Sequence, residues 1–167
     1  VLQQNTVSVI HEDEAYGAYL AQVFTEASAK QGMEIKYQWR FNNDNHLDRS
    51  FERIVEQLKT KEDAGVIFLA VQASEGIKLV KLIKEAGIPN VLISETSFSE
   101  QTFIHGFDDF PRELANPGYY TNDIYVATPL IFDTANEQAQ QFREEYRAKY
   151  HEDPDWSAAY AYDTAMV

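Results

Sequence analysis

Apolar residues along this chain follow two alternating rhythms. Short continuous runs give way to longer stretches with three-and-four spacing, the pattern of strands separated by amphipathic helices. Val7–Ile10 predicts a buried strand, and Ala15–Lys30 a helix with Tyr19, Leu20, Val23, Phe24 and Ala27 on one face. Gly32 supplies that helix with a stop. Met33, Ile35, Tyr37 and Trp39 alternate as a half-buried strand, and the helix expected over Leu47–Lys61 carries Phe51, Ile54, Val55 and Leu58. Gly65–Ala70 is nearly all apolar, as in a strand covered on both faces. A third helix is expected over Ser74–Ala86, ended by Gly87, and a fourth strand over Asn90–Ser94 behind Pro89.

The rhythm then breaks. Residues 95–123 are rich in Phe, Tyr, Pro, Asp and Asn, and 97–122 reads as a long loop insertion. Ile124–Ala127 predicts a fifth strand. Thr134–Glu137 has the letters of a capping box, opening a helix with Ala139, Phe142, Tyr146 and Tyr150 on one face, and a last helix starts near Asp155–Trp156. The alternation predicts one α/β lobe over 1–167, a doubly wound, mostly parallel five-stranded sheet flanked by helices. Such sheets bind ligands at the carboxyl ends of their strands. The turns His11–Tyr16, Val71–Ser74 and Glu95–Ser97 are therefore expected to converge on one crevice.

Charge narrows the partners. Twenty-seven acidic residues against 14 basic ones give a net charge of -13. That argues against nucleic acid; a negative balance favours cationic over anionic solutes at long range, but more often it simply keeps a protein soluble. No cysteine is present, so disulfide, thiolate and Cys-based zinc chemistry are absent, a composition that fits an oxidising compartment and many cytosolic domains alike. No apolar run approaches a bilayer span. The chain has no initiator Met, Val1–Gln4 lacks the features of a signal peptide, and the end falls within a helical pattern at Ala165–Val167. Both ends read as cuts in a longer protein.

The candidate chemistry is sparse. No Walker loop, Gly-x-Gly-x-x-Gly or Gly-x-Ser-x-Gly motif occurs, and the four histidines fall in unrelated loops. No cofactor is implied. His11, Glu12, Asp13 and Glu14 read either as a metal site or as carboxylates complementing a helix start, with the second favoured. Tyr16 either packs over the sheet edge or lines the crevice. Gln72, Ala73 and Ser74 open a helix whose free N–H groups suit a polar or anionic ligand group, unless Ser74 is only an N-cap. Glu95, just beyond Val91–Ile93, is a potential ammonium partner, a general base or a solvated loop acid.

Several of these segments carry a family likeness. Val9–Gly17 with its following helix, Gly65–Ala70, Leu82–Gly87, Tyr125–Pro129, Phe142–Tyr150 and Ala161–Ala165 together resemble the second lobe of type I periplasmic binding proteins, nearest the branched-chain amino-acid receptors. The resemblance covers nearly the whole chain. It implies a non-catalytic, extracytoplasmic solute-binding lobe that closes by a hinge against a missing first lobe. An amino acid or similar small polar solute is the implied ligand, delivered to an ABC permease or sensed by a fused signalling domain. By position, Tyr16 matches the family's crevice tyrosine, Val71 and Gln72 a ligand-contacting loop, and Glu95 the acid that receives the α-ammonium. Trp156 or Ser157 matches a further contact. The lack of an aromatic after the third strand and the 97–122 segment are departures from the family pattern. Rival readings are a flavodoxin-like or receiver-type regulatory domain, though Ala127–Pro129 offers no receiver lysine, and a carboxylate enzyme built on Glu95.

Overall fold

The computed structural model describes residues 4–165. Val1–Gln3 and Met166–Val167, on which the reading of cut ends rests in part, lie outside them. Five parallel strands form a single sheet in the order β2-β1-β3-β4-β5: β1 (Thr6–Glu12), β2 (Glu34–Phe41), β3 (Val66–Ala70), β4 (Leu92–Ser94) and β5 (Ile124–Val126). Every strand expected from the sequence is present. β2 is longer than its alternation suggested because a register slip opposite Val7–Val9 adds a residue. Beyond it Tyr37, Trp39 and Phe41 all turn to the same core.

β3 shows how the sheet is shared between two faces. Ile67 and Leu69 join the larger core, while Phe68 and Ala70 join a smaller one on the opposite face, the two-residue period of a strand covered on both sides. The larger core is closed by α2 (Leu47–Leu58) and α3 (Ala73–Glu85), through Phe51, Ile54, Leu58, Leu79, Val80 and Ile83. The smaller face is covered by α1 (Ala15–Lys30).

α1 corrects the sequence reading. Its buried residues are Gly17, Ala21 and Ser28, whereas Tyr19 and Val23 are exposed. Small side chains let the helix backbone settle directly on the strands. A Cβ at Gly17 would stand 2.6 Å from the main-chain oxygen of Glu12. Only Leu20 and Phe24 of the expected apolar stripe pack inward, with Phe24 stacked on Phe68 at 3.9 Å.

Residues 97–122 are not a loop. They fold into a 3-10 turn (Thr96–Ser99) and two short helices, α4 (Gln101–Ile104) and α5 (Pro111–Ala115). The residues behind the loop prediction are its anchors. Phe98 stacks on Phe103, Phe103 meets Phe107 edge-on, and Phe107 stacks on Tyr120. All four are buried within the larger core. The Glu113 carboxylate accepts the main-chain N–H groups of Gly118 and Tyr120, tying α5 to the return toward β5.

Past β5 the chain forms a 3-10 turn (Phe132–Thr134), α6 (Glu137–Tyr150) and α7 (Trp156–Ala165). The N-cap of α6 is Asn136, whose side chain accepts from the Ala139 N–H at 3.0 Å. The capping box expected at Thr134 is therefore replaced by a cap two residues later. Phe142, Tyr146 and Tyr150 do share a face, packing along the helix and against Tyr162 of α7, but none is fully buried. Ion pairs from Arg143 to Asp133 and Asp153, and from Arg147 to Asp153, complete this unit.

Candidate functional site

The strand order reverses at β1, with β2 on one side and β3, β4 and β5 on the other, so the crevice of a doubly wound sheet falls beyond the carboxyl ends of β1 and β3. Glu95 leaves β4 toward it and caps the Thr96–Ser99 turn. Its Oε2 accepts three bonds: from the Ser97 N–H at 3.1 Å, the Thr96 hydroxyl at 2.8 Å and the Tyr16 hydroxyl at 3.3 Å. Its Oε1 is buried and has no hydrogen-bond partner. The local fold thus fixes the carboxylate through one oxygen and leaves the other an unfilled acceptor.

Tyr16 stands in the first turn of α1 and reaches Glu95 across the strand ends. Burial pushes its phenol pKa up, and the charge of Glu95, its hydrogen bond and the charge of Glu100 add to the shift. The hydroxyl therefore stays a donor at neutral pH. Glu100 ends the same 3-10 turn. Its carboxyl is also pushed up, first by burial and then by the negative charges of Asp155 and Glu95. Trp156, the first residue of α7, donates from its indole N–H to the Thr96 carbonyl at 3.3 Å and meets Tyr160 edge-on at 5.7 Å.

The remaining sequence candidates divide. Val71 and Ala73 are buried in the core, and the Val71 carbonyl accepts from the Ser97 hydroxyl at 3.0 Å. Their side chains are packing groups and do not line a crevice, because β3 is covered on both faces up to its end. Gln72 and Ser74 are exposed at the start of α3, whose N-cap is Gln72 and not Ser74. The Ser74 hydroxyl donates to Glu75 at 2.7 Å, and Asn43 donates to the same carboxylate at 2.8 Å. A helix start already furnished with its own carboxylate is poorly disposed to an anionic ligand group. Ser157 is exposed, and its hydroxyl donates to Asp155 at 2.7 Å.

Among the described residues no group of three His, Asp or Glu side chains is placed to hold an ion. His11 is not in a loop. It belongs to β1, is buried, and bonds through Nδ1 to the Glu12 carbonyl and through Nε2 to Gln38. Glu12 ends the same strand, its pKa raised by burial and by the neighbouring charges of Glu75 and Glu14. Asp13 pairs loosely with Arg40 at 3.7 Å, and Glu14 is the N-cap residue of α1 without a side-chain cap bond. Sequence reasoning missed Glu100, Asp155 and Tyr160. Asp155 stood in view as a helix-start residue, but only the fold brings the last helix beside the β4 turn.

A family model described as periplasmic binding protein matches residues 2–167. No match was found among curated proteins. Among solved structures, a leucine-binding protein of Thermotoga maritima is similar with a TM-score of 0.78 at 16% identity, over 99% of this chain and 43% of that one. A branched-chain amino-acid transporter substrate-binding protein of Streptococcus pneumoniae, solved with isoleucine, gives 0.76 at 23% identity, over 98% and 43%. A solute-binding protein of an ABC transporter from R. palustris, solved with benzoate, gives 0.75 at 14% identity, over 98% and 41%. These likenesses concern the fold, and the chain spans less than half the length of each of these proteins. With the sheet order and the matched residues together, the chain belongs to the periplasmic binding protein family and forms one lobe of its type I fold.

Proposed function

We propose that this lobe binds an amino acid or similar small polar solute without chemical turnover, as half of a two-lobed extracytoplasmic receptor serving an ABC-type uptake system. The observation that carries the reading is Glu95. Its Oε2 is saturated by Tyr16, Thr96 and Ser97, while its buried Oε1 has no partner. A buried acceptor left unsatisfied costs about 1–3 kcal/mol, and more when charged. A solute ammonium would supply the missing donor as a charge-assisted bond. Tyr16 and Trp156 would wall the bound solute, and Gln72 and Ser74 would offer polar contacts at the rim. The first lobe would hold the remaining groups, and hinge closure around the solute would be the signal read by the permease.

Uptake is preferred to sensing because two of the similar structures named above are substrate- or solute-binding proteins of transporters. Calorimetry of the two-lobed receptor against an amino-acid panel tests the reading. At least one member should bind without being consumed, with affinity falling about tenfold or more in Glu95→Ala. A panel in which every hit binds the variant as tightly as the wild type would overturn the assigned site. Turnover of a hit, abolished in Glu95→Gln, would replace the binding reading with an enzymatic one.

A further inference from the structure

We infer that Ser97 is a positioning residue of the ammonium site: its buried hydroxyl fixes the turn that aims Glu95, and so sets how strongly the lobe selects a solute bearing a charged amine. The inference rests on the solute-binding reading and assigns a further residue to the same site. Ser97 is 4% exposed and makes bonds in two directions. Its N–H donates to Glu95 Oε2 at 3.1 Å, and its hydroxyl donates at 3.0 Å to the carbonyl of Val71, the residue after the end of β3. One residue thereby joins the carboxylate to the central strand of the sheet.

That link matters because Thr96–Ser99 is only a four-residue 3-10 turn, a geometry with poor internal bonds that depends on its surroundings. Its apolar anchor is Phe98, stacked on Phe103 at 3.8 Å and so close to α3 that a Cβ at Gly76 would stand 2.4 Å from its ring. Apolar burial is non-directional, so the ring holds the turn down without setting its rotation. The Ser97 hydroxyl bond is directional and sets that rotation against β3. Of the other donors to Glu95 Oε2, the Thr96 hydroxyl rides on the same turn, and the Tyr16 hydroxyl arrives from α1 at a looser 3.3 Å. With the turn free to rotate, the carboxylate would share its oxygens among these donors, and the direction from which Oε1 accepts would no longer be fixed. Ser94 supplies the comparison. Its hydroxyl is equally buried and donates to the Leu69 carbonyl of the same strand at 2.7 Å, but among the described residues its side chain makes no bond to the Glu95 carboxylate.

The test measures, by competition calorimetry on the two-lobed receptor, how much tighter an amino acid binds than the acid lacking only its ammonium. The pairs are leucine with isocaproate, phenylalanine with phenylpropionate and alanine with propionate. In at least one pair the wild type should favour the amino acid by about tenfold or more, and Glu95→Ala should abolish the preference. Ser97→Ala should cut that preference at least about fivefold while leaving affinity for the des-amino acid within about twofold of wild type. Ser94→Ala loses a buried bond of the same kind and should keep the preference within about twofold. An unchanged preference in Ser97→Ala overturns the inference, as does an equal fall in Ser94→Ala or a fall shared by both members of the pair. Should Ser97→Ala fail to fold, Ser97→Cys, whose thiol is only a weak donor, must lower the preference; an unchanged preference there is equally fatal. A Glu95-dependent preference that ignores Ser97 leaves the solute-binding reading standing. If no pair shows a Glu95-dependent preference, the ammonium assignment falls and the inference with it.

Discussion

Removing the Tyr120 hydroxyl probes whether residues 97–122 are part of the core or merely rest on it. The ring is buried and stacks on Phe107 at 5.1 Å. Its hydroxyl donates to Glu85 at the end of α3, at 2.8 Å. Tyr120→Phe keeps the stacking and deletes only that bond. A hydrogen bond to a charged acceptor contributes about 1.5–3 kcal/mol, so urea unfolding should show a loss of that size at neutral pH. The ionisation of the same group is tied to the same bond. Burial, the hydrogen bond to Glu85 and its charge push the phenol pKa from 10.0 up to about 12. Glu85 moves the other way: bonds from Tyr120 and Lys81 outweigh the burial that would raise its pKa. A group whose pKa is raised on folding adds stability that is complete below its unfolded value and fades as pH climbs through the folded one. The stability linked to Tyr120, on the order of 3 kcal/mol, should therefore be lost between pH 10 and about 12. Over that window the gap between wild type and Tyr120→Phe should close. A variant as stable as wild type at neutral pH, or a gap constant through the alkaline window, would refute the argument that this segment is bolted to α3.

Gly17→Ala should cost about 1–3 kcal/mol by overpacking, since the new Cβ meets the Glu12 carbonyl at 2.6 Å; a melting temperature equal to wild type would contradict the close seating of α1. Asp153, held by Arg147 and Arg143, has a pKa lowered from 3.8 to about 2. Its contribution is present above pH 3.8 and lost as pH falls toward 2. The pair is partly exposed, so Asp153→Asn should cost under about 1 kcal/mol, with the difference from wild type vanishing within that acid window. Trp156→Phe removes the indole bond to Thr96 while keeping an aromatic ring; solute affinity should fall, and an unchanged affinity would remove Trp156 from the site.

Periodicity made the sheet legible. β3, with its unbroken apolar run, and α2, with Phe51, Ile54, Val55 and Leu58 on one side, lie where their spacing put them. α1 misled because its contact with the sheet is made by Gly17, Ala21 and Ser28, residues too small to register as an apolar stripe. The aromatic richness of 97–122 resembled loop composition, yet Phe98, Phe103, Phe107 and Tyr120 form a non-local cluster that no local period reports. At the site, Tyr16 and Glu95 were named from chain position and the structure brings them into contact. Val71 and Ala73 were named from the same logic and are core. A position at a strand end does not say which way a side chain turns.

The central claim is that Glu95 Oε1, buried and without a partner in this lobe, takes its donor from a solute nitrogen. A crystal structure of the closed, two-lobed receptor with the panel member it binds most tightly tests this directly. The account predicts a ligand nitrogen about 2.8 Å from Glu95 Oε1, with the Tyr16 and Trp156 rings against the ligand. A solute seated elsewhere, with Oε1 still unpartnered, would contradict it.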